Sequence, residues 1–252
     1  MTYNIHRAIG VDRRFRPERI AAIAAHHEPD LLLLQEVDQD APRSNRLDLA
    51  RELAAMGGFR HFAVGHNVTL RRGRYGNATL SRLPILDERN IDLTIGNHKR
   101  RGCQYTAIDL AGRTGADGPR SLAVFNLHLG LSAQERARQI GILARAHEFG
   151  ALARRDPCVV AGDFNDWRSL LHPVFTDILG FLCATQRHFT YGGEMRTYPS
   201  FSPRGGLDKV YYRGLALHSV RTCRLGISKV ASDHLPVVAD FEIRQGLVTL
   251  SP

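Results

Sequence analysis

Apolar residues recur along this chain with two different periods, and the period sorts the segments into helices and strands. In RPERIAAIAAHHE, Ile20, Ile23, Ala24 and His27 return at helical spacing behind Pro17, which predicts a helix that ends before Pro29. DLLLLQEV, residues 30–37, is an unbroken apolar run closed by polar residues, the pattern of a strand covered on both faces. With TYNI ahead of the helix it completes a strand–helix–strand unit whose strands run parallel. A second helix is predicted from Ser132, an N-cap with Glu135 three residues on. Its stripe of Ala133, Ala137, Ile140 and Ala144 should face inward and Glu135, Arg136, Arg138 and Arg145 outward. Further strands are expected at GNATLS, CQYTAIDL, SLAVFNLHL, PCVVAGDF, DKVYYR, LHSVRTCRL and PVVADFEI, and AGRTGADGP (111–119) reads as a long hairpin loop. Many strands with few helices point to mixed sheets packed face to face, helices outside. No linker or internal repeat divides the chain, so residues 1–252 are read as one domain.

Polar residues sit where these apolar runs stop: Asn4, Gln35 and Glu36, Asn126 and His128, Asp163 and Asn165, Asp208, then Asp233 and His234. One such place, GDFND at 162–166, is well explained as a turn. Turn chemistry does not explain Glu, His and Asp at so many strand ends. Carboxylates gathered at one sheet edge suit a hard cation, and imidazoles beside them suit proton transfer, so the residues alone point to a metal-assisted hydrolase of unspecified substrate. Glu36 after a buried run is costly to desolvate unless paired or metal-bound. Asn4 and His128, taken singly, read better as hydrogen-bonded structural groups.

With 43% hydrophobic and 23% charged residues, the composition is that of a globular protein with a sizeable core. The net charge of +9, carried almost wholly by arginine, favours anionic partners such as phosphate esters, nucleic acid or acidic lipid headgroups. No apolar run reaches the roughly 20 residues of a membrane helix, and MTYNIHRAIG lacks a basic segment followed by an apolar one. A cytoplasmic protein is expected, with export under a longer N-terminus left open. Cys103, Cys158, Cys183 and Cys223 lack CxxC spacing and read as reduced thiols.

TYN at 2–4, LQEVD at 34–38, YGNATLSR at 75–82, NLHL at 126–129, GDFND at 162–166, LDKVYY at 207–212 and SDHLPVVADF at 232–241 follow one another in a familiar order. In order and spacing the set resembles the endonuclease/exonuclease/phosphatase superfamily, which includes DNase I, abasic-site endonucleases, sphingomyelinases and inositol-polyphosphate 5-phosphatases. The resemblance covers nearly the whole chain. It implies a DNase I-like, four-layered α/β sandwich of two mixed β-sheets flanked by helices, with the active site at one edge. Carried over position by position, it implies Glu36 as the principal Mg²⁺ ligand (Mn²⁺ the alternative), with Asn4 and Asp233 beside it. Asp163 would orient or deprotonate the attacking water, Asn165 would donate to the phosphoryl oxygens, and Asp208 would orient the catalytic His234. His128 matches the second histidine of the DNase I and sphingomyelinase branches. Asn77, Arg72, Arg74, Arg101, His6 and Arg7 are candidate substrate contacts, while Phe164 should pack inward and Asp166 serve as a turn or capping carboxylate. Two departures stand out: so few residues precede Asn4 that either the edge of one sheet is expected to be short or the start site to be misassigned, and no long basic and aromatic insertion is present to grip a duplex.

The expected activity is Mg²⁺-dependent hydrolysis of a phosphodiester or phosphomonoester, a small molecule or lipid headgroup being favoured over DNA. A DNA endo- or exonuclease is the alternative, and a non-catalytic phosphate- or nucleic-acid-binding protein the second. The sequence leaves open whether Asp163 or His234 is the base. A monomer is expected, touching lipid headgroups at most peripherally.

Overall fold

The computed structural model describes residues 1–113, 118–186 and 194–243. Its strands are β1 (Thr2–Asn4), β2 (Leu31–Gln39), β3 (His61–Thr69), β4 (Arg74–Ser81), β5 (Ile85–Asp92), β6 (Gly102–Asp109), β7 (Ser121–His128), β8 (Cys158–Asp163), β9 (Leu182–Cys183), β10 (Asp208–Arg213), β11 (Leu215–Thr222) and β12 (Val237–Ile243). The longer helices are α1 (Pro17–His27), α2 (Leu49–Gly57) and α3 (Ala133–Arg145). Hydrogen bonding orders the strands into two six-stranded mixed sheets, β11-β12-β1-β2-β4-β3 and β5-β6-β7-β8-β10-β9. Each holds one parallel pair, β1 with β2 and β7 with β8.

Three apolar clusters make four layers. Ile20 and Ile23 of α1 and Leu49 and Leu53 of α2 pack on Tyr3, Leu32, Leu34 and Leu80 of the first sheet. Ile140 and Leu143 of α3 cover Phe125, Leu127 and Val160 of the second. Leu33, Val124, Val159, Val210 and Val237 meet between the sheets, each fully buried side chain of this size contributing about 1.5–3 kcal/mol. All four cysteines are free and buried.

Several expectations change. The three-residue β1 is short but is not an edge: it lies between β12 and β2, where pairing on both sides holds it. Helix α2, opened by Asp48, whose side chain accepts from the Arg51 N–H, and closed by Gly58 at φ 67°, went unpredicted, as did β3 and β5. β5 is an outer strand exposed along most of its length, so it shows no apolar signal. The face of α3 is also turned. Glu135, Arg136, Gln139, Ile140 and Leu143 are its buried residues, whereas Ala133 and Ala137 are exposed. Its first turns lie on the loops after β7 and β8, whose backbone groups need polar partners.

A buried polar network also crosses between the sheets. Gln35 Nε2 donates to Asn126 Oδ1 (2.7 Å), and Asn126 Nδ2 donates to the carbonyls of Leu34 and Ala78 (both 3.0 Å). Thr79 Oγ1 donates to Gln104 Oε1 at 2.8 Å. These groups set the register of one sheet on the other. Asn126→Ala removes three buried hydrogen bonds, to Gln35 and to the Leu34 and Ala78 carbonyls, and is expected to cost about 3 kcal/mol, read as a lower urea midpoint at unchanged slope. A midpoint equal to that of the parent protein would show that water replaces the amide.

Candidate active site

Register alone gathers the acid–base groups. His128 ends β7 beside Asp163 at the end of β8, and Asp163 stands opposite Asp208 at the start of β10. Asp163 is 2% exposed; its Oδ2 accepts from Asn4 Nδ2 (3.0 Å) and its Oδ1 from the Asn165 N–H (2.9 Å). His128 Nε2 and His234 Nε2 lie 3.5 and 3.7 Å from Asp163 Oδ2. On its far side His234 meets Asp208 through Nδ1 and Oδ2 at 2.9 Å, so Nδ1 carries a proton that the carboxylate accepts. Asp208, Asp163 and both histidines thus form one buried row.

Burial pushes Asp163 up to about 6, against the pull of His234. Burial works against the imidazolium of His234, but Asp208 and Asp163 outweigh it and raise the group to about 10. His128 goes the other way, driven well below the ordinary histidine range by burial and then by Arg101, His234 and Lys99. The two imidazoles facing one carboxylate therefore differ in charge, a cation at His234 and a neutral ring at His128.

Glu36 reaches the same edge through a bulge. Pairing of β2 with β4 slips between Leu34 and Val37, and Glu36 takes φ 61°, which turns its carboxylate out of the alternation of the strand. Its Oε2 is buried without a hydrogen-bond partner, and Arg7 Nε is 3.7 Å away. Asn4 Oδ1 accepts from the His6 N–H (3.1 Å), so both ends of that amide are engaged. Ser232 Oγ donates to the Asn4 carbonyl (2.7 Å) and lies 3.3 Å from Asp233 Oδ1, which brings Asp233 alongside Asn4. Among the described residues no group of three or more His, Cys, Asp or Glu side chains encloses a cation. An oxygen-donor set of Glu36 and Asp233, with the Asn4 amide beside Asp233, nevertheless has the chemistry of a Mg²⁺ site, since Mg²⁺ keeps several waters and takes one or two carboxylates, and Glu36 Oε2 has no hydrogen bond, its charge met by Arg7 at 3.7 Å.

Non-glycine residues with positive φ cluster here: His6 (45°), Arg7 (61°), Ala8 (57°), Glu36 (61°) and Asn165 (51°). Such conformations cost about 1–3 kcal/mol each and persist where surrounding structure holds them, commonly at functional sites. Phe164 packs fully inside, while Asn165 Nδ2 donates to the Leu129 carbonyl at 2.9 Å, leaving its second amide proton available.

The basic flank differs from expectation. Arg72 and Arg74 are exposed at the turn between β3 and β4, where Arg72 lies by Pro42, Arg43 and Leu70. The charges that act on Glu36 and the neighbouring Tyr75 and Lys99 are those of Arg7, Arg101 and Arg43. Arg101 is 5% exposed with its Nε unpartnered. Arg43 and Lys99 lie 5.4 and 5.6 Å from the ring centre of Tyr75, and Arg43 grips the buried Asp38 (2.7 and 2.8 Å). Asn77 offers no amide proton to a substrate, since Nδ2 donates to the carbonyls of Gly102 (3.2 Å) and Asn126 (3.1 Å). His6 turns Nδ1 onto the Ile9 carbonyl (2.9 Å). Asp166 is more than a turn carboxylate. At 1% exposure it binds Arg136 Nη2 (3.1 Å) and accepts from the Leu171 N–H (2.8 Å), tying α3 to the loop that carries Asp163 and Asn165. Tyr198, unremarked in the sequence, stands 5.0 Å from the His234 ring. Only its place beside the RGGLDKV strand could have suggested it.

The Endonuclease/Exonuclease/phosphatase family model matches residues 1–234. The chain is 30% identical to the Escherichia coli K12 protein YbhP, an alignment that covers 96% of this chain and 95% of YbhP. Among solved structures, an endonuclease/exonuclease/phosphatase from Beutenbergia cavernae superposes with a TM-score of 0.76 at 22% identity, over 96% of this chain and 70% of that one. A mannosyl-6-phosphatase of Bacteroides thetaiotaomicron superposes with a TM-score of 0.71 at 16% identity, over 95% and 97%. Both share the two-sheet sandwich, and together with the family match over residues 1–234 they establish that this chain belongs to the endonuclease/exonuclease/phosphatase family.

Proposed function

We propose that the chain is a divalent-metal-dependent phosphoesterase in which Asp163 is the base for the attacking water. The observation that carries this reading is the buried row Asp208–His234–Asp163–His128. Asp208 fixes the proton on Nδ1 of His234, so that ring presents a second N–H from Nε2 and serves as a donor to a phosphoryl oxygen. Asp163, held by Asn4 and the Asn165 N–H, keeps a carboxylate oxygen facing both rings and takes the proton of the water. His128 polarises the ester from the other side, and Asn165 and Arg101 bind its remaining oxygens. Glu36, with Asn4 and Asp233, would hold Mg²⁺, or Mn²⁺, which when bound neutralises charge on the phosphoryl oxygens and the leaving oxygen. Residues 1–252 would act as one catalytic domain in a cytoplasmic protein.

The substrate reading is a small-molecule or lipid-headgroup phosphate ester, in keeping with the phosphatase named among its structural neighbours. A panel of plasmid DNA, abasic duplex, phospholipids, sugar phosphates and inositol phosphates, assayed with Mg²⁺ and with EDTA, tests it. Hydrolysis should need the metal, and Glu36→Gln should raise the Mg²⁺ concentration for half-maximal rate by roughly tenfold or more, as for loss of a main ligand. An unchanged Mg²⁺ requirement would remove Glu36 from the metal site, and preferential cleavage of DNA would move the reading to a nuclease.

A further inference from the structure

Ten large apolar side chains are exposed among the described residues, and they are unevenly placed. Met56, Leu86, Ile178 and Leu182 lie elsewhere, but Val11, Leu131, Trp167, Leu170, Phe201 and Ile227 stand on loops at the active-site edge. Leu131 is 75% exposed, Phe201 66% and Trp167 53%. These loops are tied into one rim. Trp167 packs on Gly205, where a Cβ would come within 2.5 Å of the indole, and meets Tyr198 edge-on at 5.5 Å. The Ser200 N–H donates to the Asp233 carbonyl (2.7 Å) and Ser200 Oγ to the Lys229 carbonyl (3.0 Å), while the Val11 N–H donates to the Val230 carbonyl (3.0 Å). Arg136 bridges the Leu131 carbonyl and Asp166, joining Leu131 to the Trp167 loop.

Charge on the same loops has one sign. Arg13, Arg14, Arg168, Arg204 and Lys229 are exposed. Of the acids there, Asp12, Asp166 and Glu194 are neutralised by Arg19 (2.7 Å), Arg136 (3.1 Å) and Lys209 (2.7 Å), leaving Asp233 beside the site. Apolar side chains interspersed with cations that have no ion pair among the described residues match a surface that is anionic at its face and apolar beneath. Nucleic acid would use the cations and could stack on Trp167 and Phe201, but it offers nothing to Val11, Leu131, Leu170 and Ile227.

We propose that this rim docks on an anionic lipid surface, with Trp167, Phe201 and Leu131 entering the headgroup layer around the active site. No described helix is long and apolar enough to cross a membrane, so the contact is peripheral. The corollary, that the ester is a phosphate headgroup standing in that surface, rests on the phosphoesterase reading; the docking itself does not.

Trp167 is the only tryptophan, so its fluorescence reports directly on the rim. The intact protein is mixed, without metal, with vesicles of phosphatidylcholine alone or of phosphatidylcholine with phosphatidylglycerol, and in parallel with a single-stranded oligonucleotide. It should sediment with the anionic vesicles only, with Trp167 emission moving to shorter wavelength. Phe201→Ser combined with Leu131→Ser should weaken vesicle partitioning at least about tenfold at unchanged near-ultraviolet circular dichroism, since each removes an apolar group from the lipid contact. Failure to sediment, sedimentation with unaltered Trp167 emission, or an emission change with the oligonucleotide but not the vesicles would each overturn the proposal. None of these outcomes depends on whether the protein hydrolyses anything.

Discussion

Asp163→Asn is expected to lower metal-dependent hydrolysis of a generic phosphodiester by roughly 100-fold or more, the scale of removing a positioned acid–base group. The substitution keeps the shape of the side chain and an oxygen for one of its two donors, Asn4 Nδ2 or the Asn165 N–H, but it deletes the only carboxylate among the described residues that faces both His128 and His234. The loss should fall on kcat, with a thermal midpoint close to that of the parent protein. His234→Ala should give a loss of similar order for a different reason, because Asp208 would then be buried without its partner as well as the site being short of a donor. It should therefore also destabilise the fold. Full activity in Asp163→Asn would defeat the assignment of the base and turn attention to His234; full activity in both would defeat the site.

Much of this arrangement was legible in the sequence because it follows from strand ends. The βαβ unit at the start and the polar residues closing the runs at Asn4, His128 and Asp163 are where the pattern predicts, whereas Glu36 lies inside β2, which runs on to Gln39, and is turned out by a bulge the pattern does not show. What joins them is register across the sheet, with His128 against Asp163 and Asp163 against Asp208, and no local pattern states that β7 pairs parallel with β8 and β8 antiparallel with β10. The basic flank shows the same limit. LRRGRYG and HKRRG look alike as loops, yet the first brings Tyr75 rather than its arginines to the site, because Arg72 and Arg74 cap an outer hairpin, while the second brings Lys99 and Arg101, the latter buried just ahead of β6. Arg43 gave no signal at all, since its role depends on Asp38 and Tyr75 meeting it in space.

Helix α3 is the most instructive miss. Periodicity assigns its alanines to the core and its charges to water, a rule that holds only when the surface opposite is apolar. Here the first two turns face irregular backbone, so Gln139 Oε1 accepts from the Gly130 N–H (2.8 Å) and Arg136 reaches the Leu131 carbonyl (2.7 Å) and Asp166. The buried charges of α3 thus hold the two loops that aim His128, Asp163 and Asn165.

Gly162→Ala is expected to be among the most damaging single changes in the protein. Gly162 has φ +140°, a conformation open to glycine and strained for any other residue, and a Cβ there would lie 1.9 Å from the Leu127 carbonyl oxygen. That oxygen is backbone in the paired strand, with Leu127 directly in register with Gly162, so no side-chain rotation relieves the clash. Relief requires β7 and β8 to part, and parting them undoes the pairing that sets His128 beside Asp163. A loss of at least about 4 kcal/mol is expected, which for a chain of this size lowers the thermal midpoint by roughly 8–16 °C. Gly141→Ala is the control: a Cβ at that helical glycine meets nothing nearer than the flexible end of Arg145 at 3.5 Å, so it should be neutral or stabilising by up to about 1 kcal/mol. If Gly162→Ala unfolds at the temperature of the parent protein, the close approach of β7 to β8 is not real, and the geometry placed on Asp163 and His128 falls with it.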